Sequence, residues 1–529
     1  MFGNAMSKDY LGSPPTLARL AYSRLGFGAH PNQNDFGDDA TQFAAYVDAQ
    51  LDAENIDDGD CEHYIAQMDR HDSKGRLLPA LDAPMREITQ YVERVDKAND
   101  DTYGPSELAQ YLTRITYARA LFSQRQLYEV LVDFWTNHFN TIADDKGKYW
   151  EDGNVIRPHA LGKFRDLLGA SAKSPSMLRY LSNAYSDGDN PNENYGREVM
   201  ELHTLGSINK IPGHAHFGLP NYTETDVHEA ARVFSGWTLN FYDEKDNPNG
   251  DDSFRFNDGQ DWPKHDPAKK VMQLDAQLPV TVISAGGIEQ GEKLLDILAV
   301  HPSTAYFISW KLCKRFISDL PHVFCPDAVK AGMDVFLNSQ GDIKKVVRAI
   351  VLHPKFAQSW GQKAKRPLEF YISAHRALGL TPAAQPWFKD NNWDLDQLGQ
   401  PLFWWAPPTG YPDVKQYWWS SNQLFNRWTM ANQLVIRHLG EQWWYDELEQ
   451  PNAPLDQLIG NTGDAPPRAQ AAAEKLMNTL LGVWPDEDDY KALVNYLGDG
   501  NWDAPITSKH PRLRPLVGAL LASPYFQWR

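Results

Sequence analysis

The chain has 529 residues, of which 42% are hydrophobic and 23% charged, and its net charge is −18. That length exceeds one compact core of usual size, and the composition is that of a globular protein. The acidic balance excludes a general binder of nucleic acid or of anionic membranes, both of which need a positive footprint. No run of about 18 apolar residues marks a membrane span. The opening stretch MFGNAMSKDYLGSPP lacks the basic-then-apolar order of a signal peptide. A cytoplasmic location is therefore expected, with a secreted or periplasmic one if a leader is missing. Cys61, Cys313 and Cys325 form neither a disulfide framework nor a metal finger. They read as buried thiols.

In chain order, Leu17, Leu20, Ala21 and Leu25 recur at helical spacing, with Gly26 as a stop. Further short helices are predicted over 38–52 and 60–70, and one or two helices over 105–139, starting near Ser106. The stretch 158–183 is helical but broken at Pro175. A helix over 194–206 follows a polar loop. TETDVHEAARVFSGW then opens on a Thr223/Asp226 capping box. The segments TLNFYD, FRFND and VTVIS read as short strands in the least helical part, 238–290. Helices return from Gly291, and the last third holds a loop rich in Trp and Pro. The expected fold is mainly α: a large multi-helix assembly with a small β-like insertion around residues 238–290. Its regions are 1–105, a helical core at 106–237, the insertion at 238–290, a helical region at 291–380 and a Trp-rich helical region at 381–529.

Three helices carry polar groups on apolar faces. On a wheel of 100° per residue centred on Glu198, Leu205 falls at about −20°, Leu202 at about 40° and Val199 at about 100°. The apolar arc brackets the carboxylate. A carboxylate so placed must be paired, hydrogen-bonded or protonated. It is either a structural anchor or an acid, base or metal ligand facing a cleft. Glu201 lies at the edge of that arc and is the compatible partner. His203 joins them only if the helix ends early. On LYEVLVDFWTNHF, His138 lies within an apolar face, and Glu129, Asp133, Thr136 and Asn137 form a narrow polar stripe. Asp133 and Asn137, four apart, can bond to one another or to a shared partner. On the third helix Asp226 borders the packing face and Trp237 lies on it, while Ala230 and Ala231 permit close helix approach.

The stretches RLGFGA, DFWTNHFN, NENYGREVMELHTLG, YTETDVHEAARVFSGWTL, KHDPAKKV, HPSTAYFISWKLCKRFISD and RPLEF, in that order, resemble a bacterial family, the domain of unknown function 1800. The resemblance runs from about Arg24 to Trp428. It implies a helical bacterial protein, often secreted, and a partner from a neighbouring phosphatase/sulfatase-like family. It carries over no catalytic residue.

Two chemistries and one non-catalytic role follow from these residues. A hydrolase-like enzyme would use Glu198 with Glu201, Asp226 or His138 as acid and base. Asn194, Arg197, Trp237, Trp404 and Trp405 would bind a glycan or other small polar substrate. A divalent metal site would draw on His138, Glu198, His203 and His265. The non-catalytic alternative is a glycan-binding or scaffold protein whose buried polar groups are structural. No phosphate-cradling or dinucleotide motif and no nucleophile elbow is present.

Overall fold

The computed structural model describes residues 12–529 apart from 99–101, 144, 244, 260–261, 275–279, 382–390, 440–454 and 462–464. Most of the stretch inspected for a leader lies outside the described residues. The fold is mainly α. Helix α1 (Leu17–Arg24) starts where the Thr16 side chain accepts from the Arg19 amide, and α2 (Ala40–Leu51) where Asp39 accepts from the Thr41 and Gln42 amides. The predicted helical stretch 105–139 is two helices, α3 (Gly104–Phe122) and α4 (Gln126–His138). They part at a polar corner, where Ser123 Oγ donates to Asp58 and Gln126 Nε2 donates to the Ala120 and Ser123 carbonyls.

Helix α5 (Glu193–Glu198) runs into a π turn, Val199–Thr204, and α6 (Glu224–Phe234) packs closely against it. The contact depends on small residues: a β-carbon at Gly196 would lie 2.9 Å from the Ala231 amide. The capping box at Thr223 and Asp226 forms as the spacing predicts. The insertion holds two antiparallel pairs. In one, β1 (Trp237–Leu239) faces β2 (Phe254–Phe256), with Trp237 opposite Phe256. In the other, β3 (Lys270–Met272) faces β4 (Thr281–Ile283), with Lys270 opposite Ile283. Strand β3 escaped the sequence reading because the Pro and Lys residues of KHDPAKK mask a run of only three residues.

Beyond the insertion, α7 (Pro302–Phe316), α8 (Pro326–Ser339) and α9 (Ile343–Val351) pack on one another. Helix α10 (Pro367–Ala377) is buried along its whole length, and α11 (Ser421–Leu439) packs on α12 (Leu513–Ala522). One continuous apolar cluster joins these elements, from Leu20 to Phe526. Among the described residues no helix is long and apolar enough to cross a membrane.

Candidate active site

Glu198 is half-buried, at the point where α5 changes to the wider π turn. Burial pushes its carboxyl pKa up, and the neighbouring Glu201 pushes it further, against Arg197. Glu201 is engaged, accepting from the Tyr222 hydroxyl at 2.7 Å. The two glutamates are thus neighbours in unlike settings, one hydrogen-bonded and one not. The π turn departs from 100° per residue and carries His203 into the interior, where it is 1% exposed.

There His203 meets His138, with ring centroids 6.1 Å apart. His138 Nε2 donates to the His203 carbonyl at 3.1 Å, and its Nδ1 accepts from Lys311 Nζ on α7 at 2.8 Å. That pairing assigns the neutral tautomer. Burial and the Lys311 charge hold the His138 imidazole well below its ordinary pKa, and they hold His203 down at about 3. The space around both rings is filled by Phe139, Phe164 and Tyr195. Lys311 itself is pushed down to about 7 by burial and by Lys314, against the pull of Asp413. The unfolded chain, with an ordinary lysine pKa of about 10.4, therefore binds more protons than the folded one at intermediate pH. Stability then rises as pH goes from about 7 to about 10. Lys311→Met is expected to flatten that rise, measured by urea unfolding across this range. An unchanged slope would show that Lys311 keeps its proton in the fold.

The other expected site residues are engaged in local structure or exposed. Asp226 is 1% exposed; it accepts from the Thr223 amide and hydroxyl and from the Gln273 amide. Arg197 forms a two-pronged pair with the exposed Glu224, at 2.9 and 2.7 Å, and Asn194 is exposed. Trp237 is fully buried between Phe234 and Phe254, so it offers no ring face to a ligand. His265 lies in the insertion, its Nδ1 2.8 Å from the Ser235 carbonyl and its Nε2 3.0 Å from Gln290 Oε1. Among the described residues no group of three His, Cys, Asp or Glu converges as a metal site would require. His138, Glu198, His203 and His265 thus do not form one coordination sphere.

A cavity opens instead on the polar stripe of α4. It is open to solvent and is lined by Glu129, Asp133, Thr136, Asn137, Arg366 and Tyr411, among others. Its walls come from distant parts of the chain. Asn137 Nδ2 donates to the Tyr411 carbonyl at 3.0 Å, and Asn137 Oδ1 accepts from the Tyr411 amide at 2.6 Å. Asn140 Nδ2 donates to the Trp405 and Pro407 carbonyls, each at 2.9 Å. Two asparagines thus clamp the Trp-rich loop over the stripe. Trp405 packs on Tyr411 at 4.6 Å, and Trp404 is 40% exposed. On one side Arg157 holds Glu129 at 2.9 and 3.0 Å and Asp152 at 2.7 Å. Burial disfavours the Arg157 charge, but these two carboxylates outweigh it and raise its pKa. On the other side Arg366 pairs with Asp133 through Oδ2 alone. Asp133 Oδ1 accepts no hydrogen bond among the described residues.

Behind that wall lies a buried ion cluster. Glu369, 2% exposed, is paired with Arg315, with Arg366 at 3.2 Å and with Arg529 at 2.7 Å. Its Oε2 accepts from the Arg366 amide at 2.8 Å, which closes a capping box at the start of α10. This explains the local wording RPLEF: Pro367 begins the helix without needing an amide bond, and Glu369 caps it. The stripe itself was visible in the sequence. What sequence periodicity cannot show is that a loop some 270 residues away closes over it.

The model of one protein family, "Protein of unknown function (DUF1800)", matches residues 20–528, so the chain belongs to that family. No curated protein and no solved structure matches the chain.

Proposed function

We propose, for this member of the DUF1800 family, a hydrolase-like enzyme that acts on a hydroxyl-rich polar substrate such as a glycan, in the cavity over the α4 stripe. One observation carries the reading: Asp133 lines this cavity with one carboxylate oxygen held by Arg366 and the other accepting no hydrogen bond among the described residues. Arg366 anchors one oxygen, and the other is placed to take a proton from an attacking water and to return it to the oxygen that departs as its bond to the attacked carbon breaks. Thr136 and Gln400 supply hydrogen-bonding groups, while Phe27 and Phe403 supply apolar faces for a ring. No metal is needed for this step.

A second reading rests on Glu129 and Asp152. Both are already satisfied by Arg157, as the charged walls of a binding or scaffold protein would be. Calorimetric titration with a panel of mono- and oligosaccharides, paired with a reducing-end release assay, separates the two. The enzyme reading expects binding and turnover in the wild type. Asp133→Asn should keep affinity within about threefold but lose turnover by a factor on the order of 100. Binding without turnover selects the non-catalytic role. Absence of both overturns the assignment of this cavity.

A further inference from the structure

A second cavity, partly open to solvent, lies where α1, α10 and the C-terminal segment meet, and Lys365, Thr479, Trp360, Phe526 and Trp528 are among its walls. Its polar groups are unusual in kind. Lys365 is 7% exposed, yet its ammonium has no ion pair and no hydrogen bond among the described residues. Its one close neighbour is the face of Phe526, 3.4 Å from ammonium nitrogen to ring centroid. Thr479, also 7% exposed, has a hydroxyl without a partner. Trp360 Nε1 is a buried donor without an acceptor. Among the described residues no carboxylate lines the cavity. Glu369 acts on Lys365 only from a distance, and three guanidiniums already hold it. Burial, helped by Arg427 and Arg529, drives the Lys365 pKa well below the ordinary lysine range.

Three donors without acceptors among the described residues, one of them an amine that a neighbouring anion would hold charged, thus line one cavity with aromatic and aliphatic walls. Burial disfavours the charged form of an amine that has no counter-charge beside it. An anion with an apolar body offsets that cost and covers the rings. We propose that this cavity is a binding site for a small organic carboxylate with a flat apolar body, its carboxylate on Lys365 and Thr479 and its ring among Phe526, Trp528 and Trp360. The site is separate from the α4 cavity and does not depend on the function proposed there.

The test uses the full chain and three probes, benzoate, acetate and the neutral isostere benzamide, in calorimetric titration and thermal unfolding at constant ionic strength. Benzoate is expected to bind saturably and raise Tm, and to bind at least about tenfold more tightly than benzamide, the range for a hydrogen bond to a charged group. Acetate, lacking the ring, is expected to bind more weakly than benzoate. Lys365→Met keeps the stem and removes the charge. It is expected to abolish the preference for benzoate over benzamide without lowering Tm. Should that variant fail to fold, Thr479→Val is the second, expected to weaken benzoate and leave benzamide unchanged. No saturable benzoate binding, equal affinity for benzamide, or a preference that survives in Lys365→Met would each overturn the proposal.

Discussion

Glu369→Gln lowers the stability of this protein by roughly 3–5 kcal/mol in urea unfolding, the cost of breaking a buried ion cluster from one side. The substitution is nearly isosteric and keeps an acceptor for the Arg366 amide. What it removes is the charge against which Arg315, Arg366 and Arg529 are packed. Arg366 retains Asp133, and Arg315 keeps it only at 3.6 Å, while Arg315 and Arg529 both lose their closest anion. Their Nε atoms are already without acceptors, so the cluster has little slack. The pH dependence gives a second reading of the same group. Burial pushes the Glu369 carboxyl pKa up, but Arg529, Arg315 and Arg366 outweigh burial and hold it well below the carboxylate range. Its contribution is therefore complete above the ordinary glutamate value of about 4.3 and is lost as pH falls through the folded value. Wild-type stability should decline in acid more steeply than that of the variant. Equal stability at neutral pH would mean that the cluster is compensated by another anion.

Gly410→Ala removes ligand binding at the α4 cavity by a factor on the order of 10 or more, because it unseats the loop that closes it. Gly410 has φ +69°, and a β-carbon there would lie 2.1 Å from the Asn137 carbonyl and 2.8 Å from its side-chain oxygen. Those atoms sit on a buried helix and cannot retreat, so the loop must move. The Asn137–Tyr411 bonds are the first to break. Gly213→Ala separates strain from clash: φ is +76°, but nothing lies within 4 Å of the added carbon. It should cost only the left-handed penalty of about 1–2 kcal/mol and leave binding at the cavity unchanged. If the two variants bind alike, the loop does not form the wall of a working site.

Both predictions concern residues that local patterns flag only indirectly. The stripe of Glu129, Asp133, Thr136 and Asn137 was legible because a helix period exposes any polar row on an apolar cylinder. Its meaning was not legible, because Asp133 meets Arg366 across 233 positions and Asn137 meets Tyr411 across 274. Glu198 was conspicuous for the same reason as the stripe. The structure leaves it half-buried beside Glu201, since the wheel assumed a uniform turn and the π turn begins at the next residue. His203 could join His138 only if the helix departed from its regular turn, which the π turn does, and Lys311, which donates to His138, comes from a helix more than 100 positions later.

The sequence by itself determined the mainly helical class, the Thr223 cap, the small-residue contact at Ala230 and Ala231 and the site of the β insertion. These rest on apolar period, capping and side-chain size, each set by residues within a turn or two. Only the tertiary structure decided which buried charges are compensated, which cavities stay open and which aromatic rings are covered. Compensation and burial depend on partners hundreds of positions away, and no local pattern records the distance at which a guanidinium meets a carboxylate.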